Sequence, residues 1–329
     1  MAVDRTTQLK KPLDLGSQNI SVTASMGLAL SRSSEDSAES LLRDADVAMY
    51  RAKSKGRGIC EVFDQQMSDH AEDQLGLEND LRQAMEREEF RVLFQPTYNL
   101  TSRKLVGFEA LLRWEHAHRN TILPDTFLAL AEDSGLIVPI GNWVLQQACE
   151  QVKRWQQEYS APVEISVNLS TRQLRQPDLI AQVATVLTAT QIPPHLLKLE
   201  ITEKVIMEEA ENTLATLRAL STLGVRLAID DFGSGYSSLA YLRRFPLHTV
   251  KIDRSFLQGL NHNAHNENIE IVATMIALAK TLGLQTAIGG VETDARANLL
   301  QELGCNFGQG FYFSEPLPKE EAEKLLVDI

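Results

Sequence analysis

The sequence predicts an α/β fold, a (β/α)8 barrel preceded by a small α+β segment. Three observations carry that reading. From residue 90 onward, eight short apolar runs alternate with stretches of amphipathic helical spacing. Single polar residues stand in or beside those runs, toward the strand ends where a barrel of this kind carries its active site. No Gly-x-Gly-x-x-Gly follows an early strand, as the alternative, an open doubly wound sheet, would have it.

The elements follow in chain order. Residues 20–30 alternate loosely and are rich in Ser, Thr and Val, as a strand would be; 31–36 form a polar turn. Over 40–53, Leu41, Leu42, Ala45, Ala48, Met49 and Ala52 fall on one face at helical spacing. Arg51, Lys53 and Lys55 suit the C-terminus of that helix, and Gly56 and Gly58 stop it. A short strand over 59–63 follows. Residues 72–89 are charged and helical, with Leu75, Leu77, Leu81 and Met85 as apolar positions, and read as a connector. The barrel strands are expected over 90–94, 105–112, 164–169, 196–201, 225–229, 249–252, 286–288 and 307–311. Helices are expected over 143–159, 177–190, 208–223, 268–282 and 295–303.

Composition narrows the function. With 43% hydrophobic and 23% charged residues the balance is that of a soluble globular chain, and its 329 residues suffice for one large domain or two smaller ones. No apolar run approaches the roughly 18 residues that span a bilayer, and residues 1–8 have no signal-peptide core. Cys60, Cys149 and Cys305 are few, widely spaced and odd in number, which suits reduced thiols and a cytoplasmic setting. The net charge of −12 argues against a duplex-DNA binder. It leaves room for a phosphate ligand if metal ions supply local positive charge.

The strand ends carry the chemistry. The run 225–229 delivers Asp230 and Asp231 together, ahead of a loop with Gly233 and Gly235. Adjacent carboxylates repel, and a divalent cation such as Mg²⁺ or Mn²⁺ relieves that repulsion through hard oxygen donors. Alone, the pair could equally be a solvated turn. Glu109, Asn168, Glu200 and Lys251 occupy comparable places on other strands. Each by itself could be a core residue satisfied by a neighbour. Six such residues at one barrel mouth describe a metal site for phosphoryl chemistry.

Two family resemblances cover the chain. The runs Ser25-Met-Gly-Leu-Ala and Ala45-Asp-Val-Ala-Met-Tyr-Arg-Ala-Lys-Ser-Lys-Gly-Arg-Gly58 resemble the C-terminal part of a GGDEF (diguanylate cyclase) domain. The Gly-Gly-Asp-Glu-Phe signature is absent, so no cyclase activity is expected. The rest resembles the EAL family of cyclic-di-GMP phosphodiesterases. Its carriers are Gln95-Pro96, Glu109-Ala-Leu-Leu-Arg-Trp114, Val167-Asn-Leu-Ser170, Glu200-Ile-Thr-Glu203, Asp230-Asp-Phe-Gly-Ser-Gly-Tyr-Ser-Ser-Leu239, Val250-Lys-Ile-Asp253 and Gly308-Gln-Gly310. The division expected is a GGDEF remnant over 1–68, a connector helix over 69–89 and an EAL barrel over 90–329.

The resemblance implies a modified TIM-like barrel whose first strand is antiparallel, often a homodimer through the EAL domain. It implies bacterial second-messenger signalling by cleavage of cyclic di-GMP to linear pGpG with two Mg²⁺ or Mn²⁺ ions. Glu109, Asn168, Glu200 and Asp230 would hold the first ion, and Asp230 and Asp231 the second. Lys251, Asp231 and Glu203 make up the catalytic set, Glu203 by bracing the loop after Asp231. Gln95, Leu111, Arg113, Asp253 and Gln309 belong to the ligand pocket.

One position departs from the family pattern Ala-Glu-Gly-Val-Glu-Thr. Here the run is Ala287-Ile-Gly-Gly-Val-Glu-Thr293, with Gly289 in place of a Glu that helps hold the second ion. A reduced rate is therefore expected. The alternative is a cyclic-di-GMP receptor that binds without hydrolysis. A metal-dependent barrel for another substrate is the weaker third reading.

Overall fold

Side-chain alternation along the strands sets the architecture. The computed structural model describes residues 13–14, 19–20, 23–31, 37–54, 58–64, 76–208, 210–235, 242–257 and 267–327. Residues 32–36 of the expected turn, the first residues of the connector (69–75), the Lys55-Gly-Arg57 part of one motif and the Tyr236–Leu239 part of another lie outside them. The chain divides into two compact units, residues 1–82 and 83–329.

In the first unit, β1 (Leu13–Asp14) pairs antiparallel with β2 (Asn19–Ile20). β3 (Met26–Leu28) and β4 (Cys60–Val62) are parallel, joined through helix α1 (Ala38–Ser54). Of the strand expected over 20–30, Ile20 belongs to β2 and Met26–Leu28 to β3, while residues 21–22 lie outside the described residues. On α1, Ala48 and Ala52 are fully buried, while Leu42, which spacing put on the apolar face, is exposed. A helix over 76–84, α2, follows.

The second unit holds the barrel. Its strands are β5 (Phe90–Asn99), β6 (Leu105–His116), β8 (Glu164–Asn168), β9 (Leu197–Thr202), β10 (Arg226–Phe232), β11 (Thr249–Ile252), β12 (Gln285–Ile288) and β13 (Phe307–Gly308). The sheet closes because β5 pairs with both β6 and β13. β5 runs antiparallel to both; the others are parallel to their barrel neighbours. A short strand, β7 (Asn120–Ile122), extends β6 as a hairpin that the sequence pattern did not signal.

Around the barrel lie α3 (Pro124–Ser134), α4 (Ile137–Tyr159), α5 (Thr171–Leu174), α6 (Leu179–Thr190), α7 (Glu203–Glu208), α8 (Ala210–Thr222), α9 (Glu267–Thr281), α10 (Asp294–Glu302) and α11 (Lys319–Lys324). α3, α5 and α11 were not expected, nor was α7, which meets the expected 208–223 helix only at its last residue. α4 begins at Ile137 because Pro139 sits in its first turn, where a missing N–H costs nothing. The expected strand over 307–311 stops at Gly308, and Phe311 is exposed.

Successive strand residues point to opposite faces. Ile165, Val167, Leu197, Leu199, Ile201, Leu227, Ile229 and Val250 face outward into one core with the helices. Trp155 of α4 anchors it, stacked edge-on to Phe94 with ring centroids 5.0 Å apart and against Phe108 at 4.8 Å. The intervening positions, including Glu164, Ser166, Lys198 and Glu200, face the barrel interior. Barrel interiors are usually branched and apolar; this one is polar.

Burial also protects two of the cysteines. It pushes the Cys149 thiol up to about 12 and the Cys305 thiol up to about 11, so neither forms thiolate near neutral pH. Cys60 is partly exposed. Native alkylation at pH 8 is expected to label Cys60 first and the other two only on unfolding, as read by mass spectrometry. Equal labelling of all three in the native state would contradict the packing.

Candidate active site

The mouth of the barrel collects residues far apart in sequence. Glu109 comes from β6, Asn168 from the end of β8, Glu200 from β9, Asp230 from β10 and Lys251 from β11. Parallel register places Asn168 opposite Glu200. Carboxylate oxygens of Glu109, Glu200 and Asp230 all lie within 4.8 Å of one another.

Lys251 lies between them. Its Nζ donates to Glu109 Oε2 at 2.8 Å, Glu200 Oε2 at 2.7 Å and Asp230 Oδ2 at 3.4 Å. Asn168 Nδ2 donates to Glu109 Oε1 at 2.7 Å. Gln309 Nε2 donates to Glu109 Oε2 and to Gln95 Oε1, both at 2.9 Å. Gln95 stands opposite Glu109 in the β5–β6 register.

Protonation follows this geometry. Burial opposes the Lys251 charge, but the three carboxylates overcome it and hold the ammonium well above its ordinary range. Burial also opposes the Glu109 charge; Lys251 and the amides of Asn168 and Gln309 outweigh it and keep that carboxyl low. At Glu200 burial wins over Lys251, helped by Glu109 and Asp230, and the carboxyl is raised. Asp230 is raised for the same reasons, with Asp231 adding repulsion. One ammonium therefore faces more negative charge than it can balance.

Asp230 and Asp231 share the mouth because the strand breaks its alternation there. The β10–β11 register shifts between Ile229 and Phe232, and Asp231 takes a φ of 54°. A bulge re-aims side chains, and Asp tolerates the left-handed region better than most residues. Burial and the neighbouring Asp253 raise the Asp231 carboxyl. Asp253 in turn accepts from the Ser255 amide at 2.7 Å. Glu203, 1% exposed, accepts from the Gly233 amide through Oε2 at 2.8 Å. Its Oε1 has no partner among the described residues.

Two depressions meet at Asp230 and Asp231. One is a polar cleft of about 710 Å³ lined by Gln95, Glu109, Lys251, Asp253, Gly289 and Gln309, among others. The other, about 460 Å³, is mainly apolar and includes Leu111, Asn168, Leu128 and Ile140. Arg113 lines neither; its guanidinium donates to the Leu112 carbonyl at 2.8 Å. Sequence reasoning missed Asp125, Arg254, Arg296 and Phe311 in the polar cleft. Arg254 directly follows Val250–Asp253, which was its available signal.

Gly289 follows β12 and opens onto this cleft. A Cβ built there meets nothing within 4 Å, and its φ is not in the left-handed region. Gly310 is the opposite case. At φ 153° its missing Cβ would lie 2.3 Å from the Val291 backbone. That close approach ties the Gln309 segment to the Gly289 loop, with Val291 N donating to Gln309 O at 3.0 Å.

A model of the EAL domain matches residues 78–316. The chain belongs to the EAL domain family. A model of the diguanylate cyclase GGDEF domain matches residues 1–58. The bifunctional diguanylate cyclase/cyclic di-GMP phosphodiesterase MucR of Pseudomonas aeruginosa is 41% identical over 323 residues, 98% of this chain and 46% of MucR. The cyclic di-GMP phosphodiesterase NbdA of the same organism is 35% identical over 97% of this chain and 40% of its own length. The chain thus spans less than half the length of these curated relatives. The solved structure of the MucR phosphodiesterase in complex with c-di-GMP matches with a TM-score of 0.72 and 43% identity, over 75% of this chain and 99% of that one. Among the described residues no helix is long and apolar enough to cross a membrane.

The donor set of this EAL site suits a hard divalent cation. It consists of carboxylate oxygens and an Asn amide, with no Cys or His among the three acidic donors. The Lys251 ammonium supplies the positive charge among those oxygens in this structure.

Removing the Glu203 carboxylate tests how the Asp230–Asp231 loop is held. Glu203→Ala is expected to weaken Mn²⁺ binding by about 10–100-fold, measured by calorimetry. Glu203→Gln, which can still accept from Gly233, should recover part of it. Equal affinity in all three proteins would remove Glu203 from the site.

Proposed function

We propose that this EAL domain hydrolyses cyclic di-GMP to linear pGpG. One observation carries the reading: Glu109, Asn168, Glu200, Asp230 and Lys251 converge at the barrel mouth. It is supported by 43% identity to an EAL phosphodiesterase solved with c-di-GMP. In the reaction a water oxygen bonds to phosphorus, one ester P–O bond breaks, and the leaving oxygen takes a proton.

Glu109, Asn168, Glu200 and Asp230 would hold one Mg²⁺ or Mn²⁺, and Asp230 with Asp231 a second. Bound there, such ions acidify water and offset charge on the reacting phosphate. Lys251, kept protonated by its carboxylates, supplies positive charge beside the phosphate oxygens. Asn168 and Gln309 fix the two oxygens of Glu109. The polar cleft and the apolar slot meet at the acidic cluster, so a ligand with a base on each side of a phosphate can lie across it. Leu111 offers one such base an apolar surface. Arg113, turned to its own strand, would have to rotate to reach the ligand.

We further assign 1–68 to a GGDEF remnant, 69–89 to a connector and 90–329 to the EAL domain. A cytoplasmic setting and a homodimer through the EAL domain belong to the same proposal. Sedimentation velocity tests the dimer.

Gly289 favours a second reading, a receptor that binds cyclic di-GMP without cleaving it, because the cleft lacks a carboxylate there. Incubation with cyclic di-GMP and Mn²⁺ or Mg²⁺, with products separated by chromatography, decides between them. Accumulation of pGpG is the expected result. Binding without turnover would establish the receptor, and neither would refute both.

A further inference from the structure

The polar lining of the barrel continues inward from the acidic cluster. Ser166, Lys198 and Thr249 share a small internal chamber with Glu200, Lys251 and Gln309. It leaves about 20 Å³ for the centre of a water molecule, and one water needs roughly 10–15 Å³ by that measure.

Thr249 is 1% exposed, and its Oγ1 has no hydrogen-bond partner among the described residues. Buried hydroxyls are almost always satisfied, by protein or by ordered water. Glu200 gives Oε2 to Lys251 at 2.7 Å, which leaves Oε1 for another donor. Ala228 stands in register with Glu200 on one side and Thr249 on the other. Only a methyl group reaches inward between them. Among the described residues no hydrogen bond joins the Thr249 hydroxyl to Glu200. A water in the chamber has both groups on its walls. It finds an acceptor in Glu200, donors in the lysine ammoniums, and either in the Thr249 hydroxyl.

We propose that Thr249 holds one ordered water that bridges to the Glu200 carboxylate, which makes Thr249 a positioning residue for Glu200. The inference rests on the reading of Glu200 as part of the hydrolytic site. The water takes no part in the reaction. It orients the carboxylate from inside the barrel, on the side away from the cleft.

The test compares the parent chain with Thr249→Val and Thr249→Ser by high-resolution crystallography, by Mn²⁺ calorimetry, and by turnover. The expected result is a water within hydrogen-bond distance of Thr249 Oγ1 and Glu200 in the parent. It should persist in the Ser variant and be absent from the Val variant. Mn²⁺ affinity and kcat should fall about tenfold in the Val variant, with KM for cyclic di-GMP unchanged, and recover in the Ser variant. A dry chamber, or a water that bonds neither group, overturns the site. Loss of the water with no change in Mn²⁺ affinity overturns the positioning role. The crystallographic and calorimetric readouts need no turnover, so a chain that never hydrolyses the ligand still tests the inference.

Discussion

Lys251→Ala is expected to lower turnover of cyclic di-GMP by about 10²–10³-fold and to destabilise the metal-free protein. The ammonium is the positive partner of Glu109, Glu200 and Asp230. Removing one partner of a buried ion pair costs about 3–5 kcal/mol, because the remaining charges stay buried and uncompensated. Without the ammonium, which lowers the pKa of each of the three carboxyls, their pKa values rise and they bind protons more readily. Thermal melting in EDTA should therefore drop, and drop most above the range where those carboxyls protonate. Added Mn²⁺ should restore the melting temperature, since a divalent cation answers the same charge. Turnover should stay low, because the positive charge beside the phosphate is gone. A variant with parental melting in EDTA would show that Lys251 does not balance the cluster. One with parental turnover would remove it from the chemistry.

Gly289→Glu is expected to raise turnover tenfold or more, in proportion to what a lost ligand or supporting group typically costs, on the order of 10–100-fold. The structure permits the change: a Cβ there enters open space, and the backbone is not left-handed. The new carboxylate would join a cleft already lined by Asp230, Asp231, Lys251 and Gln309. Without metal it adds repulsion to an acidic site and should lower the melting temperature. With Mn²⁺ the sign reverses, and the half-saturating metal concentration should fall. Gly289→Ala, which fills space without charge, should leave both unchanged. If Glu and Ala variants behave alike, the missing carboxylate is not what limits this chain. If the Glu variant alone hydrolyses cyclic di-GMP, the parent is a receptor.

Much of the site is legible in the sequence. A polar residue inside an apolar strand is expensive unless something satisfies it, so Glu109, Asn168, Glu200 and Lys251 stood out from their neighbours. The adjacent acids after the 225–229 run stood out for the same reason. Helix limits were legible where apolar spacing was regular: 295–303 was expected and Asp294–Glu302 is observed. They were not legible where a proline begins a helix, as at Pro124, because proline also marks loops. The aromatic run after Gly308 resembled a strand, yet the chain turns at Gly310 and leaves Phe311 exposed.

The sequence by itself determined where polar residues interrupt the apolar strands, because strand alternation is a local property of the chain. It determined the barrel class and singled out the acidic and amide residues that gather at the barrel mouth. Tertiary structure alone decided what those residues do to one another. Lys251 meets Glu109 across 142 positions of sequence and Glu200 across 51, so their pairing depends on barrel closure and strand register. The bulge that lets Asp230 and Asp231 share one mouth, the turning of Arg113 to its own strand, and the enclosed space beside Thr249 have the same origin. Each is a contact between distant segments, and no local pattern encodes the distance.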